Sequence, residues 1–282
     1  MNRAEAFVRV EKRMKPLLAH PRVLHRFGWM RRKLEALGIG TFSVRANGLK
    51  VSGGIGDRKL LLLLEKGKFE PLSLPTWRSL LEPGMRAIDV GAHIGSFTLP
   101  AAQVVGDKGR VWALEPNPVS FRYLQKNVSD NELGQVTVVQ AAVSDHTGSE
   151  ILHVRPGERM QSSLVAVDAG SETDYKVDVL KLDDLVPLDE TVDVLKIDAE
   201  GSEPAILRGM ARLLPSVRAM IVEQNPDALR QGNSSPTELH DMLVEAGFEV
   251  QVMREKADAP VPWTVELADR AVNLLATRPG DG

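Results

Sequence analysis

From Met85 to Gln140, apolar runs of strand length alternate with segments of helical spacing, and this alternation constrains the chain more than any other feature. Met85–Val90, Arg110–Leu114 and Val136–Gln140 read as strands, with helices at Gly95–Val105 and Val119–Val128 between them. Strands joined through helices run parallel, and the crossovers cover both faces of the sheet. After Ala142 the pattern breaks. Glu150–Val154 and Ser163–Val167 read as short strands around Arg155-Pro156-Gly157, with Val177–Leu180 as a third, which predicts a β insertion near 148–181. The alternation then resumes. A strand at Val192–Ile197 precedes a helix from Ser202 to about Leu214, and a strand at Val217–Val222 precedes a helix at Pro236–Ala246. Strands at Phe248–Met253 and Val272–Ala276 close the sheet, and Arg278 to Gly282 reads as a frayed tail. The fold class is α/β, with a mostly parallel, doubly wound sheet and helices on both faces.

The segment before Met85 has a different texture. Ala4–Leu37 reads as two helices broken at Pro21 and ended by Gly38 and Gly40. Asn47-Gly48 marks a hairpin between Phe42–Arg45 and Leu49–Val51. Leu60–Leu64 reads as a further strand, and Trp77–Leu81 begins a short helix before the Pro83-Gly84 turn. Residues 1–84 are therefore expected to form an N-terminal cap of helices and short strands on a main domain at 85–282. Charge divides along the same line. The chain carries −3 overall, but residues 1–38 hold ten Lys or Arg against three Asp or Glu, a net +7 that leaves −10 for the rest. A solvated helical face accounts for such a segment, and contact with an acidic partner or surface is the sharper reading. The chain has no cysteine, so disulfides and thiolate metal sites are excluded. No stretch suits a secretory leader or a transmembrane span, which points to a cytoplasmic protein.

The first strand of the alternation runs into Asp89-Val90-Gly91-Ala92-His93-Ile94-Gly95, a glycine loop ahead of a helix. Such a loop lets a ligand approach the backbone closely, outside the carboxyl end of the strand. A dinucleotide fingerprint would be Gly-x-Gly-x-x-Gly, whereas the spacing here is Gly91-x-x-x-Gly95, with Asp89 just ahead of it. A carboxylate there repels a pyrophosphate but suits the ammonium and sulfonium of S-adenosylmethionine. The second strand ends in Glu115-Pro116, and an acid at that place can accept hydrogen bonds from both ribose hydroxyls of a nucleoside. Two further strands end on Asp198 and Glu223, and Glu200 follows Asp198 in the same loop.

Ile-Asp-Val-Gly-Ala-His-Ile-Gly (88–95), Leu-Glu-Pro-Asn-Pro (114–118), Ala-Ala-Val-Ser-Asp (141–145) and Leu-Lys-Ile-Asp-Ala-Glu-Gly-Ser-Glu (195–203) resemble the motifs of FkbM-type methyltransferases. The resemblance covers about Met85 to Glu223, and the block at 195–203 is its most specific part. It implies a Rossmann-like class I methyltransferase fold with an antiparallel last strand, and S-adenosylmethionine as cofactor. It also implies O-methylation of a hydroxyl on a sugar, glycan or other small molecule. Asp89, Gly91, Ala92, His93 and Gly95 would shape the donor loop, Glu115 and Pro116 would hold the ribose, and Ala142 would lie against the adenine. Asp198 would sit beside the transferred methyl, which makes Asp198 and Glu200 the candidate catalytic residues. His93 departs from the pattern, since the family usually has Asn there.

Other readings attach to neighbouring residues. Lys196, inside an apolar strand, is expected to pair with a nearby acid rather than to catalyse. Ser202 is a candidate N-cap, and Glu203 a first-turn acid favoured by the helix dipole. Glu223 and Asn225 could join Asp198 around a divalent cation, an oxygen-rich set suited to magnesium. His25, His146, His153 and His240 are scattered and read as surface residues. A non-catalytic scaffold that binds S-adenosylmethionine shares all these features, and a nucleotide-dependent oxidoreductase is disfavoured by the loop spacing. A nucleic-acid substrate is disfavoured by the acidic main domain.

Overall fold

The computed structural model describes residues 41–154, 162–164, 173–254 and 259–280. The two helices expected within 4–37, the basic segment 1–38 and His25 lie outside the described residues. The chain begins with a hairpin, β1 (Phe42–Ala46) and β2 (Leu49–Gly53), antiparallel about Asn47-Gly48. Helices α1 (Arg58–Glu65) and α2 (Ser73–Ser79) follow. The main alternation is β3 (Arg86–Val90), α3 (Thr98–Val105), β4 (Arg110–Leu114), α4 (Pro118–Asp130) and β5 (Val136–Val139). The insertion comprises β6 (Ala142–Val143), β7 (Gly148–Val154), β8 (Ser162–Ser163) and β9 (Thr173–Leu180). The second half runs α5 (Leu182–Leu185), β10 (Val194–Ile197), α6 (Glu203–Arg208), β11 (Ala219–Gln224), α7 (Pro226–Gln231), α8 (Pro236–Glu245), β12 (Glu249–Met253), β13 (Val261–Pro262) and β14 (Val272–Thr277).

Eight strands form one sheet in the order β13-β12-β14-β11-β10-β3-β4-β5. The strands β11, β10, β3, β4 and β5 are parallel, while β14 runs antiparallel between β11 and β12. This is the mostly parallel, Rossmann-like methyltransferase sheet expected from the sequence, with its last strand reversed. Chain order switches direction between β3 and β10, and in open α/β sheets the crevice at that point takes ligands. The four-stranded insertion sheet, β6-β9-β7-β8, stands beside it, and β6 pairs with β9 in parallel.

Side chains alternate across the sheet. Ala87 and Val111 face one core with Leu99, Ala102 and Val105 of α3, and Ile88 and Trp112 face a second core with Ile206 of α6 and Leu239 and Leu243 of α8. Helices therefore cover both faces. The first core also takes Val44, Val51, Leu60, Leu61 and Trp77 from the segment before Met85, so the hairpin, α1 and α2 are packed onto the sheet.

Some expectations are corrected. Leu60–Leu64 belongs to a helix, not a strand, because Leu60, Leu61 and Leu64 bury one helical face while Leu62 and Leu63 stay half-buried. The helix after Ser202 stops at Arg208 instead of reaching Leu214. Arg278 is no frayed residue: its guanidinium donates to the carbonyls of Val217, Ala246 and Leu214 at 2.8–3.1 Å. Of the histidines, His146 is exposed, but His153 and His240 are half-buried, the latter stacked on Trp263 with ring centroids 4.0 Å apart.

Candidate active site

The site grows from strand register. Lys196 on β10 lies opposite Asp89 on β3, so the two side chains leave the sheet side by side on the face covered by α3 and the hairpin. Lys196 Nζ stands 3.1 Å from Asp198 Oδ2 and 3.9 Å from Asp89 Oδ1, and 4.8 Å over the centre of the Phe97 ring. Trp77 pins that ring by donating its indole N–H to the Phe97 carbonyl. Burial pulls the lysine pKa down, but Asp198, Asp89 and Glu70 more than offset this and hold it above the ordinary value. Lys196 is thus a charged, structural cation. Asp89 is fully buried, and burial pushes its pKa up against the pull of Lys196 and of the Thr98 hydroxyl, which donates to Oδ2 at 2.6 Å.

The glycine loop is shaped first by the protein itself. Gly91 has φ +75, and a Cβ there would fall 1.9 Å from the Asp198 carbonyl oxygen, so no other residue fits where β3 and β10 converge. Two residues later, His93 also adopts a left-handed conformation, φ +51, which costs about 1 kcal/mol for a residue with a Cβ. That turn aims its backbone N–H at Glu115 Oε2, 2.8 Å away, while Asn117 N–H donates to Oε1 at 2.7 Å. Each Glu115 oxygen accepts one of these bonds and keeps a further lone pair. Burial raises the pKa of Glu115 although His93 and the two backbone donors pull the other way.

His93 Nε2 lies 3.3 Å from Asp57 Oδ1, outside hydrogen-bond angles, so charge holds this pair. Burial opposes the imidazolium, but Asp57, Glu115 and Asp198 together raise its pKa. Asp57 comes from the turn before α1, and nothing in the sequence linked it to the loop.

On the other side of the cleft, Asp198 follows β10 with one third of its side chain exposed. Glu200 is buried in a left-handed conformation, φ +48, and Asn225 Nδ2 donates to its Oε2 at 3.3 Å. Ser202 holds the N-cap position of α6 without a side-chain cap bond. Glu203 supplies the loop's acceptor instead, taking the N–H groups of Ala199 and Gly201 while fully buried. Burial pushes its pKa up to about 7. Glu223 lies on the same face at the end of β11. Burial, then Asp198, Glu200 and Glu203, push its pKa well above the usual carboxylate range.

Many of these groups, though not Asp57, Glu203 or Glu223, line one cleft of about 820 Å³, open mouth included. Asp89, Gly91, Ala92, His93, Glu115, Pro116, Ala142, Asp198 and Glu200 all line it, while Gly95 sits behind the loop against Leu99 and Leu124. Sequence reasoning missed Phe69 and Glu70, which lie between α1 and α2, and Leu152 and Leu164, from the insertion. Glu70 accepts hydrogen bonds from Asn273 of β14 and from Ser73, and burial raises its pKa. Among the described residues, no helix is long and apolar enough to cross a membrane.

Comparison with known proteins found the following similarities. The hexuronic acid methyltransferase AglP of Haloferax volcanii is 30% identical over 172 residues, spanning 60% of this chain and 66% of that protein. The probable cobalt-precorrin-6B C(15)-methyltransferase (decarboxylating) of Sulfurisphaera tokodaii is 27% identical over 166 residues, spanning 56% of this chain and 86% of that protein. This chain therefore spans just under two thirds of the first relative's length. Among solved structures, a SAM-dependent O-methyltransferase from Thermotoga maritima superimposes with a TM-score of 0.41 at 17% identity, covering 86% of this chain and 80% of that one. The methyltransferase FkbM domain matches residues 89–250, more than half of the sequence. The chain belongs to the FkbM methyltransferase family, and S-adenosylmethionine is its methyl donor.

Proposed function

We propose that this methyltransferase acts on a hydroxyl oxygen of a small molecule or glycan, with the donor in the cleft between β3 and β10. One observation carries the reading: Glu115 and Asp198 face the same cleft from opposite sides of the strand crossover. The residues fit the donor. Glu115 keeps lone pairs for two ribose hydroxyls, and Pro116, Ala142 and Val143 offer apolar wall to an adenine. Glu70, Asp89 and Asp198 give the cleft a negative field suited to a sulfonium. When bound, the donor supplies an electrophilic methyl group, and the chain's task is alignment.

Asp89, Gly91, Ala92, His93 and Gly95 fix the donor side. Asp198, which lines the cleft with one oxygen held by Lys196, would accept the hydroxyl proton, with Glu200 beside it in the same lining. Residues before Met85 act as a cap that supplies the acceptor wall through Phe69 and Glu70, opposite Leu152 and Leu164 of the insertion. The relative that acts on hexuronic acid favours a sugar acceptor. The acids of the cleft outnumber Lys196 and His93, which disfavours a nucleic-acid backbone.

Transfer of a labelled methyl group to a panel of sugars, polyhydroxylated small molecules and RNA tests the reading. An alkali-stable ether on a sugar or small molecule is expected. An alkali-labile ester, a carbon-linked methyl or labelled RNA would overturn it.

A further inference from the structure

We propose that Asp198, Glu200 and Glu223 form a binding site for one hard divalent cation of the magnesium or manganese class. Each carboxylate contributes an oxygen, and these oxygens all lie within 4.8 Å of one another. Ligand oxygens at about 2.0–2.6 Å from a central ion stand about 3–5 Å apart, so the spacing fits. The convergence follows from the fold. Asp198 directly follows β10, Glu223 is the penultimate residue of the neighbouring parallel strand β11, and the left-handed turn at Glu200 brings that side chain to the same corner.

A cluster of acids alone would say little. The decisive observation is Glu223 Oε2, which is sealed from solvent and meets no hydrogen-bond donor. A buried carboxylate oxygen without a partner carries a large desolvation cost. Its titratable neighbours do not relieve it. Asp198 and Glu200 have the same sign, and Glu203 spends its carboxylate on Ala199 and Gly201. Lys196 is engaged 3.1 Å from Asp198 Oδ2, and the Asn225 amide is turned to Glu200. Positive charge is what this corner lacks.

The donor set also selects the ion. All three ligands are carboxylates and no cysteine exists in the chain, which favours hard ions over zinc or copper. Because Asp198 and Glu200 line the cleft, the ion would present open coordination positions there. A hydroxyl acceptor could occupy them and lose its proton more readily. That role rests on the function proposed above, but the site itself does not.

The test is a manganese titration of the full chain after exhaustive chelation, without donor or acceptor, reading free Mn²⁺ by electron paramagnetic resonance. One saturable site per chain is expected, displaced by Mg²⁺ and weakened at least tenfold in Glu223→Gln. Glu249→Gln, a change on an exposed strand residue, should leave the affinity unchanged. If Glu223→Gln does not fold by circular dichroism, Asp198→Asn takes its place with the same expected loss. Absence of a saturable site in the native chain, or equal affinity in the folded variant, would overturn the proposal. S-adenosylhomocysteine binding measured on the same chelated sample separates the readings. Binding of that molecule in a chain that shows no saturable manganese site would sink the metal site alone.

Discussion

Replacing Lys196 by Met should be among the most damaging single changes to stability. Methionine keeps the length of the side chain, so the loss is of charge rather than of packing. At an effective dielectric of about 20, the 3.1 Å and 3.9 Å approaches correspond to gross attractions of about 5 and about 4 kcal/mol. Asp198 is one third exposed, and water recovers much of its share. Asp89 is fully buried and cannot be rehydrated. Removing one partner from such a pair costs about 3–5 kcal/mol, because the remaining charge is stranded. For a chain of this size that lowers the melting temperature by roughly 10 °C. Urea unfolding followed by circular dichroism measures the loss. The companion variant Lys196→Met/Asp89→Asn removes the stranded charge while its amide oxygen can still accept from Thr98, so it should recover at least half. A cost below about 1 kcal/mol for Lys196→Met, or no recovery in the double variant, would refute the reasoning.

Three other outcomes follow from the same contacts. Gly91→Ala should destabilise the fold by about 2 kcal/mol or more and abolish S-adenosylhomocysteine binding in calorimetry, because the new Cβ meets the Asp198 carbonyl at positive φ. Glu115→Gln should weaken that binding by about ten- to a hundredfold and also lower the melting temperature, since the amide nitrogen can accept neither a ribose hydroxyl nor the buried backbone N–H it would face. Glu203 has a folded-state pKa of about 7 against an ordinary value of 4.5, so the native state binds the extra proton. Its contribution is complete below pH 4.5 and is lost as pH rises toward 7, a change of about 3 kcal/mol at most. Glu203→Gln should flatten the stability profile across that window in denaturant titrations.

Much of this architecture is visible in the sequence because parallel strands buried on both faces are short, apolar and closed by turn residues. Arg110–Leu114 emerges with its expected bounds, and β3, β10 and β14 shift by a residue or two at their ends. Leu60–Leu64 was open to misreading because an unbroken apolar run has no period of its own. It becomes helical because a 3₁₀ turn at Ile55–Asp57 leads into it and α1 buries only one of its faces. Most carboxylates of the site were legible because Asp89, Glu115, Asp198 and Glu223 lie at or just past strand ends, and strand ends converge. Asp57 and Glu70 were not, since they reach the cleft through tertiary packing from a segment with no motif. The glycine spacing was legible too, but the sequence suggested that Gly91 makes room for a ligand. The structure shows that it also makes room for a neighbouring carbonyl.

The shared core beneath the hairpin bears on how this enzyme can be handled and how it can change over time. Val44, Val51, Leu60, Leu61 and Trp77 rest directly on the layer formed by Ala87, Val111 and α3. A version trimmed to begin at Met85 would bare that greasy layer to water and lose the Asp57 side chain that faces His93. Such a fragment should come out of cells as aggregate rather than as a smaller catalyst. Any exchange of acceptor preference by swapping the front of the chain would have to carry a matching underside with it.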